Sequence, residues 1–154
     1  MNKQKIIDYV IVILPIVIVA GLGTLFSNLG MSWFDTLAKP TQWVPNWIFP
    51  VVWSIIYVAF AVFLIIWQNK ESVARSTIIW LVINGVLNVL WCLVFFTLHL
   101  TLLGNVVIIL NLISSFCLLN NIAEKKKTYP LILLIYPLWL SVATTLNLAV
   151  WILN

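Results

Sequence analysis

Five long apolar runs dominate the chain, at about residues 6–26, 47–67, 77–96, 102–122 and 130–153, with short polar stretches between them. Each is long enough to cross a hydrocarbon core of about 30 Å at a rise of about 1.5 Å per residue. The pattern predicts an all-α fold: one domain, residues 1–154, built as an integral membrane bundle of five transmembrane helices. All but one of the connections are short, so sequential helices are expected to be antiparallel neighbours. The exception is the first loop, residues 28–46. No internal repeat or low-complexity segment interrupts the pattern.

Composition strengthens this reading. The chain is 64% hydrophobic and 8% charged, with a mean hydropathy of +1.14, whereas a soluble domain carries about 25% charged residues. Lys3 and Lys5 precede the first run and Gly21 and Gly23 sit within it, so it has some features of a signal peptide. It is longer than a usual signal-peptide core, and residues 28–32 suit a turn, so a retained helix is expected.

The net charge of +4 comes from basic residues dispersed over short loops, which excludes a nucleic-acid-binding patch. Lys3, Lys5, Lys70, Arg75 and residues 125–127 fall on one side of the predicted bundle, and Lys39 alone falls on the other. The positive-inside rule then places the N-terminus in the cytoplasm and the first loop and C-terminus outside, in a multi-pass protein of the cytoplasmic membrane.

The chain lacks the usual catalytic sets. Cys92 and Cys117 lie in apolar runs, where cysteine acts as a small hydrophobe. His99 is the single histidine. No cluster has metal-ligand spacing, so neither a metal nor a cofactor is expected. No ionisable group stands in mid-membrane, which argues against an ion-coupled pump. No nucleophile–base or paired-carboxylate set can be assembled.

Polar and aromatic residues at helical spacing supply the candidate site. In the third run Asn84, Asn88, Trp91 and Phe95 share one face. Two amides on one face should avoid lipid, either by hydrogen bonding between helices or by forming the wall of a half-polar, half-aromatic pocket. In the fifth run Tyr136, Trp139, Ala143 and Leu146 form one stripe, and Thr144, Asn147 and Trp151 another. Ala143, one turn beyond Trp139, leaves room for a flat object beside the indole. Its bland role, with Ser141, is close helix packing. Pro137 removes a backbone hydrogen bond near the start of that helix. In the second run Trp53, Tyr57 and Phe60 share a face. Asn111 and Ser115 do so in the fourth, as either packing or pocket groups. Trp47, Trp67, Trp80 and Trp151 are assigned to the headgroup region at helix ends, and the deeper Trp53, Trp91 and Trp139 to the site.

The segment from Trp33 to Trp53 holds four of the nine tryptophans, three of the six prolines and Lys39. A simple linker needs turn formers and polar residues. This one suits a folded lid over a pocket for a flat, apolar, partly polar ligand.

These motifs resemble those of the TspO/translocator protein family, also called the peripheral-type benzodiazepine receptor family, over essentially the whole chain. The first-loop signature is met by Trp33, Phe34, Lys39, Pro40, Pro45, Trp47, Phe49, Val52, Trp53 and Tyr57. The third-helix pattern is met by Asn88, Trp91, Val94, Phe95 and Phe96, and the fifth-helix pattern by Tyr136, Trp139, Ser141, Ala143, Thr144, Leu146 and Asn147. The chain departs from the family at Val44, at Gln42 with Trp43, and at Ile135 with Pro137, and it lacks the C-terminal cholesterol motif of animal members.

The resemblance implies a lidded five-helix bundle that binds protoporphyrin IX, related tetrapyrroles and flat drug-like molecules, and homodimers are common among bacterial members. It makes Trp53 and Trp139 the counterparts of two pocket tryptophans that carry light- and oxygen-dependent porphyrin degradation. Its ligand-binding set here is Trp33, Phe34, Lys39, Pro40, Phe49, Trp53, Tyr57, Asn84, Asn88, Trp91, Phe95, Trp139, Ala143 and Leu146. The partners expected are a porphyrin or similar flat molecule and the lipid bilayer. A receptor or sensor is the leading expectation. A passive carrier of porphyrins and a structural protein whose aromatics only pack are the alternatives.

Overall fold

The computed structural model describes residues 3–41, 44–70 and 72–154. Gln42 and Trp43 of the first loop lie outside the described residues, as do the side chains of Lys3 and Lys5. The elements are α1 (Lys3–Leu29), α2 (Met31–Thr36), α3 (Ile48–Gln68), α4 (Arg75–Cys92), α5 (Thr101–Lys125), α6 (Pro130–Leu133) and α7 (Ile135–Leu153). A π-helical turn, Leu93–Thr97, prolongs α4. Among the described residues, five stretches are long and apolar enough to cross a membrane: Ile7–Leu29, Ile48–Gln68, Arg75–Thr97, Thr101–Lys125 and Pro130–Leu153. The all-α, five-span membrane architecture therefore holds.

The first span is an integral part of the bundle, packed against both α3 and α4. The fifth span is two helices with a break at Leu134. Pro137 explains the break, because it has no N–H to give to the carbonyl of Leu133 one turn earlier. The α4 extension also has a local cause. Leu98 N–H donates to the carbonyl of Leu93, and Leu100 N–H to that of Val94. These wide bonds turn Phe95 and Phe96 inward together, with their rings 4.9 Å apart and edge to face.

The helices close into a ring in the order α1, α4, α5, α7, α3. One sequence expectation fails here. The second and third spans follow each other through a short loop, yet α3 and α4 do not pack against each other. Both lean on α1, and α3 leans further on α6 and α7. Large side chains reach across the space between α3 and α4, with the rings of Trp53 and Trp91 6.1 Å apart. The short loop limits the distance between helix ends, while the aromatic side chains keep the two backbones apart higher up.

Two apolar clusters fill the ring. One, beneath the first loop, holds Phe34, Ile56, Trp91, Phe95, Tyr136, Trp139, Leu140 and Ala143 among others. The other, at the opposite end, holds Phe63, Trp67, Leu118, Ile122 and Leu133. Trp67 is therefore a core residue, 2% exposed, and does not face the headgroups. Its ring meets Phe63 at 5.4 Å and Tyr129 at 5.8 Å, because the turn into α6 covers the end of α3. Trp47, at 65% exposure, does lie at the surface.

The first loop starts with a tight step. Gly30 carries the chain from α1 into α2, with its N–H donating to the Ser27 carbonyl. A Cβ at Gly30 would fall 1.8 Å from the backbone oxygen of Phe96. Thr97 Oγ1 donates to the Phe26 carbonyl nearby at 2.8 Å. The end of α1, the start of α2 and the π-turn thus meet backbone to backbone. Gly30→Ala must displace main chain, and overpacking of this kind costs about 3 kcal/mol. A clear drop in the thermal midpoint of the purified protein is expected. Gly21→Ala, where nothing lies within 4 Å of the added Cβ, should leave that midpoint unchanged or slightly raised.

Candidate functional site

The face of α4 predicted to turn inward does so. Asn84, Asn88, Trp91 and Phe95 are all buried, at 3%, 4%, 5% and 0% exposure. The two amides then differ. Asn84 Nδ2 donates to the carbonyls of Trp80 and, across to α5, of Ser114, and its Oδ1 finds no partner. Both polar atoms of the Asn88 side chain lack a partner among the described residues. Asn84 thus partly serves as interhelical glue, while the Asn88 amide lies beside the Tyr136 hydroxyl without making a well-formed hydrogen bond among the described residues.

Helix α3 supplies Trp53 and Tyr57, whose rings stack 5.8 Å apart. Trp53 also meets Tyr136 of α7 edge to face at 6.4 Å. Tyr136 O–H donates to Asn111 Oδ1 on α5 at 3.0 Å, which makes Asn111 a packing and orienting group. Ser114 and Ser115 donate to carbonyls of their own helix. On α7, Trp139 and Ala143 are buried in the cluster beneath the loop. Trp139 meets Phe49 edge to face at 5.5 Å. Leu146 stays half-buried and outside that cluster.

The first loop seals this end. Trp33 stacks flat on His99 at 4.2 Å and meets Phe95 edge to face at 6.0 Å. Phe34 is buried against Phe95 and Phe96. Lys39 Nζ lies 4.6 Å from the Phe34 ring centroid, a cation–π contact. Pro40 is half-buried beside it in the chain. Asn154 pins the loop from the end of α7: its Oδ1 accepts from Ala38 N–H at 3.0 Å and its Nδ2 donates to the Ala38 carbonyl at 3.1 Å.

The proposed site residues therefore divide into two groups. Trp33, Phe34, Lys39, Phe49, Trp91, Phe95, Trp139 and Ala143 belong to the closed aromatic assembly beneath the loop. Trp53, Tyr57, Asn84 and Asn88, with Tyr136, line a cavity of about 710 Å³ among α1, α3 and α4. Trp53 joins the two groups. Ala143 itself is buried, 3% exposed, in that assembly. The indole N–H groups of Trp91 and Trp139 are buried with no acceptor, as is Asn147 Nδ2. Among the described residues no group of His, Cys, Asp or Glu is placed to hold a metal ion.

Several contributors escaped the sequence patterns. Asn105 is buried with both amide atoms unpaired among the described residues; six residues before Asn111, it lies about 120° round α5 from it, so the Asn111–Ser115 stripe did not reveal it. His99, at φ 60°, and Asn154 gave no signal, because their roles depend on loop geometry.

Comparison with known proteins agrees with the motif reading. The model of the TspO/MBR family matches residues 11–152. The chain is 32% identical over 136 residues to Protein CrtK of Rhodobacter capsulatus, covering 86% of this chain and 83% of that one. It is 30% identical to the Tryptophan-rich protein TspO of Archaeoglobus fulgidus, covering 98% and 99% of the two chains. For the protein of the same name from Chlorobaculum tepidum the identity is 31%, with 100% and 99% covered.

The Asn154 clamp makes a direct prediction. Asn154→Ala removes two hydrogen bonds worth about 1 kcal/mol each. Exchange of the Ala38 amide hydrogen should then speed up by about tenfold or more, with amides in the middle of α5 unaffected. Unchanged protection at Ala38 would mean that the aromatic contacts alone hold the loop.

Proposed function

The chain belongs to the TspO/MBR family, and from that premise we propose that it is a membrane receptor for tetrapyrroles, protoporphyrin IX in particular. The observation that carries this reading is the convergence of Trp53, Trp91 and Trp139 in one interior with unpaired polar atoms. Among the described residues, the N–H groups of Trp91 and Trp139 and the Asn88 amide are buried with no well-formed hydrogen bond. Unpaired buried polar groups are costly. A flat ligand with an apolar face and acceptor atoms offsets that cost while stacking on the indoles, each stack adding about 0.5–1.5 kcal/mol.

In this reading the macrocycle lies beneath the first loop, against Trp53 and Trp139, and enters when the loop lifts. Lys39 releases the Phe34 ring and meets a propionate as a point charge. Light and oxygen supply the chemistry of degradation. The excited porphyrin generates reactive oxygen, and the electron-rich indoles at contact distance are its target or relay. Dimerisation and binding of flat drug-like molecules belong to the same proposal, as does the cytoplasmic position of the N-terminus.

The test is titration of purified protein with protoporphyrin IX in the dark, followed by tryptophan quenching, then illumination in air. Saturable quenching and light-dependent loss of porphyrin absorption are expected. Trp53→Phe with Trp139→Phe should keep binding within about threefold and abolish degradation. Undiminished degradation in that double variant rules out the tryptophan mechanism. Lys39→Gln should weaken protoporphyrin binding by about fivefold, as for a solvent-facing ion pair, and leave its dimethyl ester unaffected. Absence of saturable quenching in the native protein would overturn the receptor reading itself.

A further inference from the structure

We propose that a groove on the lipid-facing side of α4 and α5 binds the headgroup of a phospholipid that carries a primary ammonium. The groove shares no residue with the ligand-binding set, so this inference does not rest on the tetrapyrrole reading.

Two interhelical bonds fix where the groove lies. Thr77 Oγ1 donates to Asn121 Oδ1 at 2.8 Å, and further along α4 Asn84 Nδ2 donates to the Ser114 carbonyl at 3.3 Å. Helices α4 and α5 are therefore antiparallel and in contact, with the start of α4 beside the end of α5. The groove follows this seam at the end away from the first loop. It has a volume of about 500 Å³ and is lined by Trp80 of α4 and by Phe116, Cys117, Asn120, Asn121 and Glu124 of α5. The Thr77 bond, with a longer one from Ser76 Oγ, holds the Asn121 side chain to α4.

The groove faces outward. Ile109, Ile113 and Phe116 are 38%, 54% and 55% exposed. Asn120 and Glu124 continue the same stripe of α5 at helical spacing, and both are exposed. The stripe thus turns from apolar to polar over about 12 Å, from Phe116 to Glu124. On a helix that ends at Lys125, this is the step from acyl chain to headgroup. Trp80 is half-buried against the cluster of Phe63 and Trp67 and lines the groove as well, and an indole suits that boundary.

Charge then selects the occupant. Glu124 is the one charged residue of the lining, and its Oε1 accepts from Asn120 Nδ2 at 3.1 Å. It stands in the last turn of α5, where the partial negative charge of the helix end opposes a carboxylate and favours a cation. Lys125 leaves α5 about 100° away round the helix, and its Nζ reaches the carbonyl of Asn121 at 3.5 Å. A carboxylate in the groove thus has an ammonium at its rim. A headgroup with ammonium and phosphate two carbons apart matches both. Its ammonium has three N–H donors for the Glu124 oxygens and Asn120 Oδ1, beside an indole that attracts cations. Its phosphate meets Lys125, and its acyl chains run along Phe116 and Ile113. A trimethylammonium has no N–H to give, and a headgroup with only a phosphate meets Glu124 as a like charge.

The experiment uses the full chain in phosphatidylcholine nanodiscs with a phosphatidylethanolamine that carries a diazirine near the ester end of one acyl chain. Cross-links are mapped by mass spectrometry after photolysis and should concentrate on Trp80 and residues 113–120. Unlabelled phosphatidylethanolamine should compete about tenfold better than phosphatidylcholine or phosphatidylglycerol with the same chains. Glu124→Gln keeps the size of the side chain and an acceptor for Asn120, and should shrink this preference to about twofold or less. Glu124→Asp should restore part of it, and Asn120→Ala should lower it by about threefold. Cross-linking spread evenly over all lipid-facing helices would overturn the proposal, as would equal competition by the three lipids or an unchanged preference in Glu124→Gln. Equal competition by water-soluble phosphoethanolamine would assign the groove to a free amine and overturn the lipid. If native protein shows the preference but does not quench with protoporphyrin, the headgroup site stands and the tetrapyrrole receptor falls.

Discussion

Hydrocarbon cannot hydrate an amide, and this constraint sets the rotation of the helices. Asn84, Asn88, Asn105, Asn111 and Asn147 are all buried, because a lipid-facing amide would pair with nothing. Turning α4 so that Asn84 and Asn88 point inward also brings in Trp91 and Phe95 and sends Val82 and Val86 out to lipid. Turning α5 so that Asn111 points inward puts its side-chain Oδ1 under the Tyr136 hydroxyl. That bond joins α5 to α7 and holds Tyr136 edge-on to Trp53 and to Phe60. The aromatic interior is thus arranged by amides as much as by packing.

Apolar contact alone would not yield this arrangement, because lipid tails are as apolar as the helix surfaces and provide little drive for association. Shape and hydrogen bonding take over that task. The Gly30 step lets α1, α2 and the π-turn approach through their backbones. The π-turn re-aims Phe95 and Phe96 toward the loop. Turns of this kind recur where function demands a shifted register. Trp53 is the hinge of the design: it closes the assembly beneath the first loop on one side and lines the cavity among α1, α3 and α4 on the other.

Opposed demands at the two ends of the interior also account for the unpaired atoms. Beneath the loop, the indole N–H groups of Trp91 and Trp139 are buried within the aromatic cluster. In the cavity, the Asn88 amide faces Tyr57 and aliphatic side chains. Natural cores leave few such groups unmatched.

The number of spans, the all-α class and the inward face of α4 were legible in the sequence, because apolar length and helical periodicity are local properties that lipid enforces. The pairing of Asn84, Asn88, Trp91 and Phe95 followed from spacing alone. The signature of the first loop and of the third and fifth spans also carried the family. The ring order was not legible: a short loop suggested that the second and third spans pack together, while the bulk of Trp53 and Trp91 keeps their backbones apart. Nor was the burial of Trp67, which depends on where the α6 turn lands. The Asn154 clamp, the Trp33–His99 stack and the cavity between α1 and α4 join residues distant in the chain, and only the tertiary structure could bring them together, because no local rule ties one helix's tilt to another's side chains.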